Sequence, residues 1–303
     1  GDGWTVDNDN PTQVTSVVDG GASTSSAQTN TVTWAAASDS STSVASYEMA
    51  IGTTSGGTDV VNWTDVGNVT SYQMTGLSLP SDATYYVSVR AVDAAGNTGT
   101  PGLGDGWYVD SQAPTQVTGV TDGVYGVSTS ATNTATWSAA SDSGSGIASY
   151  DVALGTTAGA TDVVGWTNVG NTTSHQFTGQ TLSSGTTYYF TVRAVDAAGN
   201  TGTPGNSDGF TVDAVAPTTV TGVNDGAYSA DLAQSPSITW SSSSDSHSGM
   251  SEYQVALGTT AGATDVIGWT SVGNVTSHQF TGQSFTTGTT YYATVRAVDN
   301  AGN

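Results

Sequence analysis

The sequence predicts an all-β chain of three two-sheet sandwiches strung in tandem, and three observations carry that reading. Landmark residues recur at an unvarying step of 103, as in Trp34, Trp137 and Trp240, Tyr47, Tyr150 and Tyr253, and Arg90, Arg193 and Arg296. A period of that size is a whole domain rather than a solenoid repeat. Within each period, short runs of alternating apolar and polar residues are punctuated by Gly, Asn, Asp and Ser clusters, with no sustained helical periodicity. Finally, each unit is long enough to bury its own core without staples, and the chain has no Cys.

The second unit shows the elements in order. Residues 117–120 make a first strand, Asp122-Gly123 a turn, and residues 134–137 the next strand, followed by a polar loop at 141–146. In the strand at 150–154, Tyr150, Val152 and Leu154 take one face and Asp151 and Ala153 the other. Two shorter strands fall at 163–166 and 175–177. The clearest alternation runs from 188 to 195, with Tyr188, Phe190, Val192 and Ala194 facing in, and a last strand passes through Phe210 and Val212. Seven short strands in about 100 residues is the pattern of an immunoglobulin-like sandwich. The register divides the chain into a final strand and linker at 1–10, and repeats at 11–110, 111–213 and 214–303, the third lacking its final strand.

These residues resemble tandem fibronectin type III domains of large bacterial surface and secreted proteins. The resemblance rests on the Trp of the second strand, on Tyr-x-x-Ala-[Ile/Leu]-Gly in the third, and on Tyr-Tyr-x-x-Val-Arg-Ala-Val-Asp-x-Ala-Gly-Asn at 85–97, 188–200 and 291–303. It implies a tyrosine corner at Tyr85, Tyr188 and Tyr291. It says little of function, because the fold hosts adhesion, spacing and enzyme-linker roles alike. An Arg-Gly-Asp loop is absent, since every Arg is followed by Ala.

Charge narrows the partners. Three Arg and no Lys against 25 acidic residues give a net charge of −22, which disfavours nucleic acid and anionic membranes. No apolar run approaches a membrane span. The lack of thiols suits an extracellular or cell-surface location. Catalysis is not expected: His175 and His278 share a position that holds Tyr72 in the first unit, His247 has no repeat partner, and neither Cys, Lys nor a Gly-x-Ser-x-Gly elbow is present.

The Arg point outward beside Glu48 and Asp151, so exposed cross-strand ion pairs are expected, with Glu252 substituting in the third unit where Gln254 stands. Trp34 and its equivalents, and the face shared by Trp4, Val6, Trp107, Val109, Phe210 and Val212, read as core. Trp63, Trp166 and Trp269, in Asp-Val-[Val/Ile]-x-Trp-Thr, are the candidates for stacking on glycans. Asn-x-Thr sequons at Asn62, Asn68, Asn171 and Asn274 read as loops.

Eighteen of the 25 acids occupy six positions that recur in every unit. In a sandwich, one unit's Asp19 and Asp110 would meet Asp142 and Asp196 of the next, and Asp122 and Asp213 would meet Asp245 and Asp299. Four carboxylates in a Gly/Ser crevice repel unless a cation sits among them, and all-oxygen donors point to Ca²⁺. The same Asp also suit turns.

Residues 1–7 match 104–110, the last strand of the first unit. Two expectations follow: a window of a longer array, or head-to-tail complementation of the third unit by residues 1–7 of another copy, forming a filament. The function expected is structural, a bacterial extracellular fibre, stalk or adhesin shaft stiffened by calcium at the joints, with neighbouring copies and surface glycans as partners. The alternative is an array of carbohydrate-binding modules accessory to a secreted hydrolase.

Overall fold

The structure, a computed structural model, describes residues 6–20, 23–24, 29–126, 133–226 and 235–303, and of residues 23, 24 and 29 only the backbone. Asp2 and Trp4 lie outside the described residues. No described helix is long and apolar enough to cross a membrane.

The first unit contains β1 (Thr15–Val18), β2 (Ser23–Thr24), β3 (Thr29–Ala35), β4 (Val44–Gly52), β5 (Val61–Gly67), β6 (Ser71–Thr75), β7 (Ala83–Asp93), β8 (Gly102–Leu103) and β9 (Trp107–Val109). The second repeats it with β10 (Thr118–Thr121), β11 (Tyr125–Gly126), β12 (Thr134–Ser138), β13 (Ile147–Gly155), β14 (Val164–Asn168), β15 (Ser174–Gln176), β16 (Thr187–Asp196), β17 (Gly205–Asn206) and β18 (Phe210–Val212). In the third, β19 (Ser237–Thr239), β20 (Met250–Gly258), β21 (Ile267–Gly273), β22 (Ser277–Gln279) and β23 (Tyr292–Asp299) are described.

Each of the first two units pairs a three-stranded sheet with a larger one. In the second, β10-β12-β15 faces β11-β18-β16-β13-β14, with β17 on β16. The seven expected strands are all present, within a few residues at each end. Two short strands, β11 and β17, are additional; β11 pairs parallel with β18 (Tyr125 with Thr211, Gly126 with Val212). In the third unit the sheets are β19-β22 and β21-β20-β23.

The inward set is the predicted one. Trp137, Tyr150, Val152, Leu154, Phe190, Val192, Ala194, Phe210 and Val212 all belong to one core cluster. Trp34, Trp137 and Trp240 lie 5.5, 5.6 and 5.5 Å from the rings of Tyr47, Tyr150 and Tyr253, so one aromatic pair recurs across the two sheets of each unit. Every one of those Tyr hydroxyls accepts a backbone N–H ten residues upstream, from Ala37, Ala140 or Ser243. The expected tyrosine corners are present. Tyr188 Oη accepts the Ser183 N–H at 2.9 Å and Tyr291 Oη the Thr286 N–H at 3.0 Å, while the Tyr85 hydroxyl donates to the Pro80 carbonyl at 2.9 Å.

One core expectation fails. Val109 and Val212 are buried, but Val6 at the equivalent position is 63% exposed, because no described sheet lies over it.

Candidate functional site

The joints gather the recurring carboxylates. One residue beyond β9, Asp110 is fully buried against the loops of the following unit. Its Oδ1 accepts the Gln112 N–H at 2.9 Å, turning the chain toward Pro114, and its Oδ2 accepts the Ser145 N–H at 2.7 Å. Asn200, in the loop after β16, donates its side-chain N–H groups to the Asp110 and Gln112 carbonyls, each at 3.0 Å, and to Asp196 Oδ2 at 2.8 Å. Asp142 holds its own loop through the Gly144 and Gly146 N–H groups. The carboxylates of Asp110, Asp142 and Asp196 offer oxygens that all lie within 4.8 Å of one another.

The same construction recurs as Asp213, Asp245 and Asp299, and again as Asp7, Asp39 and Asp93. Asn303 and Asn97 play the part of Asn200, donating to the Asp213 and Asp7 carbonyls at 2.9 and 3.2 Å. The Asp7 group escaped the residue-by-residue expectation, although its members stand in the same recurring set; looking one period upstream of Asp110 would have found it.

Six of the eight carboxylates expected to converge do so, in two trios, and Asp19 and Asp122 do not. Asp19 is enclosed within its own unit, where its Oδ2 accepts the Gly106 N–H at 3.0 Å. Asp122 is 2% exposed, also within its own unit. The loop before the last strand takes up the turn that carries them, so neither reaches a joint.

One carboxylate of each trio is held toward its ionised form. Burial pushes Asp110 up, but the Ser145 hydroxyl and N–H and the Gln112 N–H outweigh it and leave the group below the usual range. Asp93 and Asp245 are lowered in the same way, against burial, by Asn97 and its neighbouring N–H groups and by the N–H groups of His247, Gly249 and Ser248 respectively. Among the described residues, Asp39 Oδ2 and Asp245 Oδ2 are enclosed without a hydrogen-bond partner. At the third joint the His247 imidazole Nδ1 lies 3.6 Å from Asp213 Oδ1, a position held by Ser41 and Gly144 in the other two.

The aromatic candidates occupy a different face. Trp63, Trp166 and Trp269 are partly exposed, and the guanidinium of Arg90, Arg193 or Arg296 lies 4.3, 4.3 and 4.4 Å from the respective ring centroid. That same guanidinium bonds Glu48 at 2.6 Å and Asp151 at 3.0 Å. In the third unit Arg296 bonds Gln254 Oε1 directly, at 2.6 and 2.9 Å. Glu252 is not its substitute: it accepts from Gln254 Nε2 at 2.7 Å, because two residues along a strand returns it to the same face but out of Arg reach. The ladder is therefore a Trp–Arg–acceptor stack, with one indole face already covered.

Comparison with known proteins fits this architecture. Residues 120–207 match the Fibronectin type III domain family. The chain is 34% identical over 282 residues to Exoglucanase B of Cellulomonas fimi, covering 90% of the chain and 23% of that protein. It is 35% identical over 298 residues to Exoglucanase A of the same organism, covering 93% of the chain and 30% of that protein. The chain thus spans less than a third of these curated relatives. Solved structures with some likeness include the FN1–FN3 domains of chicken CNTN1 (TM-score 0.39, 18% identity, 96% of this chain and 95% of that one). Another is the fibronectin(III)-like modules of Clostridium thermocellum CbhA (TM-score 0.37, 17% identity, 66% and 94%).

The matched domain is a non-catalytic module, and this stretch is not an enzyme. Because the first and third units repeat the matched unit's Trp, Tyr and Arg landmarks at the 103-residue step, the chain is a tandem array of β-sandwiches of the fibronectin type III-like fold.

Proposed function

We propose that this chain is a non-catalytic spacer region of a secreted, extracellular hydrolase acting on glycans, and that it holds the modules on either side at a set separation. The observation that supports it most is the joint. An Asp just past each last strand is caged by two loops of the next unit, and an Asn clamps the linker carbonyls, so adjoining units meet through directional bonds rather than a loose tether. The exoglucanase relatives favour a hydrolase setting over the fibre, stalk or adhesin shaft that the same joints would serve.

We further assign the three trios as divalent cation sites, formed by Asp7, Asp39 and Asp93, by Asp110, Asp142 and Asp196, and by Asp213, Asp245 and Asp299. The donor set is all oxygen, which suits Ca²⁺, and the partnerless oxygens of Asp39 and Asp245 are supplied with the cation they lack. Neighbouring repeats are the partners of the joints. Glycans are the partners proposed for the exposed edges of Trp63, Trp166 and Trp269.

Small-angle scattering tests the spacer. The reading expects an extended particle with one dominant maximum dimension, and a broader, shorter distribution for Asn200→Ala. A wild-type chain that samples bent and compact shapes as freely as the variant overturns it. Binding to insoluble glucan, compared with Trp166→Ala, tests the aromatic face separately.

A further inference from the structure

We propose that Asp122, at the turn between β10 and β11, is a proton-binding carboxyl, and that acidification tightens this turn's hold on the unit's last strand, β18. The proposal stands apart from the spacer reading and from the cation trios.

Equivalent positions of the first two units differ in the donors they offer this carboxylate. In the first unit Asp19 is fully buried, yet its Oδ2 accepts the Gly106 N–H at 3.0 Å and the Val87 N–H at 3.4 Å. That approach needs a residue without a side chain at 104, since a Cβ on Gly104 would lie 2.2 Å from Asp19 Oδ2. The second unit has Ser207 there. The Ser207 hydroxyl oxygen accepts the Phe190 N–H at 2.9 Å, and Phe190 is the counterpart of Val87. One of the two donors that serve the first carboxylate, the counterpart of the Val87 N–H, has been taken by the serine, and a serine Cβ falls in the space through which Asp19 approaches.

Asp122 is left 2% exposed with both carboxylate oxygens enclosed and, among the described residues, without a partner at hydrogen-bond distance. A buried carboxylate without donors is strongly disfavoured relative to its neutral acid. Burial pushes the Asp122 carboxyl up from its ordinary value, the facing charge of Asp208 just before β18 adds repulsion, and the Ser207 hydroxyl and the Phe190 N–H oppose them only in part. Arg193 is engaged elsewhere, with Asp151. In the third unit the equivalent Asp225 is exposed; Asp19 of the first unit is also raised by burial but keeps its backbone donors, so the second unit is the one whose carboxyl has lost them. The proton comes from solvent, bonds to one Asp122 oxygen and removes the charge that burial penalises. The turn can then close on the segment from Ser207 to β18 without carboxylate–carboxylate repulsion.

Thermal unfolding of the full chain between about pH 8 and about pH 5, in chelator, tests this. The wild type is expected to gain melting temperature as pH falls. Asp122→Asn, a neutral isostere, should match the acid-form stability already at the alkaline end and lose that part of the pH slope. Ser207→Gly should readmit a backbone donor and reduce the slope while keeping the carboxyl. Infrared spectroscopy should show a carboxylic acid band above the pH at which exposed Asp are ionised, reduced in Asp122→Asn relative to wild type. An unchanged slope in Asp122→Asn, or no such reduction, overturns the proposal. So does a neutral-pH stabilisation by Ca²⁺ that Asp122→Asn abolishes, since a cation would then occupy the place assigned to the proton.

Discussion

Replacing Asp110 with Asn tests the joint most directly. Its two oxygens accept N–H groups from Gln112 and Ser145 at 2.9 and 2.7 Å, and it is one corner of a trio whose ligand oxygens lie within 4.8 Å. Asn keeps the shape, one acceptor oxygen and the turn, but removes a negative charge from the cluster. Extracellular oxygen-donor sites bind Ca²⁺ with dissociation constants of roughly 10⁻⁴–10⁻³ M. At about 10 mM Ca²⁺ such a site stabilises the folded unit by about 1.4–2.7 kcal/mol, and each kcal/mol moves the melting temperature of a unit this size by about 4–8 °C. Calorimetry of the wild type should therefore show a calcium-dependent rise that chelator reverses, and Asp110→Asn should lose it for the second unit. With three trios among the described residues, equilibrium dialysis should count one Ca²⁺ fewer in the variant. In chelator the variant's cost should be small, because relief of repulsion with Asp142 and Asp196 offsets the lost acceptor. A wild-type melt indifferent to Ca²⁺, or an Asp110→Asn chain with the full calcium shift, would refute the reasoning.

Other outcomes follow from single contacts. Arg193→Ala removes the guanidinium over Trp166 and its bond to Asp151; both are partly solvated, so the loss should be about 1 kcal/mol or less, with a change in tryptophan emission. Tyr188→Phe leaves the Ser183 N–H without its acceptor and should cost about 1–3 kcal/mol by denaturant titration. Phe190→Ala opens a cavity between Phe177 and Phe210, whose rings lie 5.8 and 5.9 Å away; a cost of about 3–5 kcal/mol should unfold the second unit first. The chain should also have an acid limb. Asp93, Asp110 and Asp245 have lowered carboxyl values, so the stability they contribute is present above about pH 4 and lost as pH falls through their folded values. Asp19 and Asp122 are raised, and their effect runs the other way, favouring mild acid over neutrality. A melting profile highest in mild acid and falling on either side is expected.

The strands were legible because the sandwich writes its inward face into the sequence: Tyr188, Phe190, Val192 and Ala194 alternate without exception, and each is buried. The strands β11 and β17 were not, since two residues each, one of them Gly, carry no alternation to read. The joint was half legible. Recurrence singled out the right acids, and connectivity predicted that Asp110, Asp142 and Asp196 meet. What one-dimensional order cannot show is which side of a turn a carboxylate takes, and Asp19 and Asp122 turned inward toward the loop before the last strand. The Trp–Arg stack was legible only as an ion pair, because Arg90 lies opposite Glu48 while its reach beyond that strand to Trp63 depends on rotamer.

The parallel pairing of β11 with β18, and of β2 with β9, sets how the array responds to being pulled. Tension enters a unit through the segment leading to its first strands and leaves through its last strand. Where those two run side by side in the same direction, the load slides one past the other, so that their hydrogen bonds must break together rather than peel apart one at a time. In each of the first two units two residue pairs form a short clasp, backed by the antiparallel seam of the last strand on β7 or β16. The first two units are thereby built to yield abruptly, one at a time, instead of stretching smoothly.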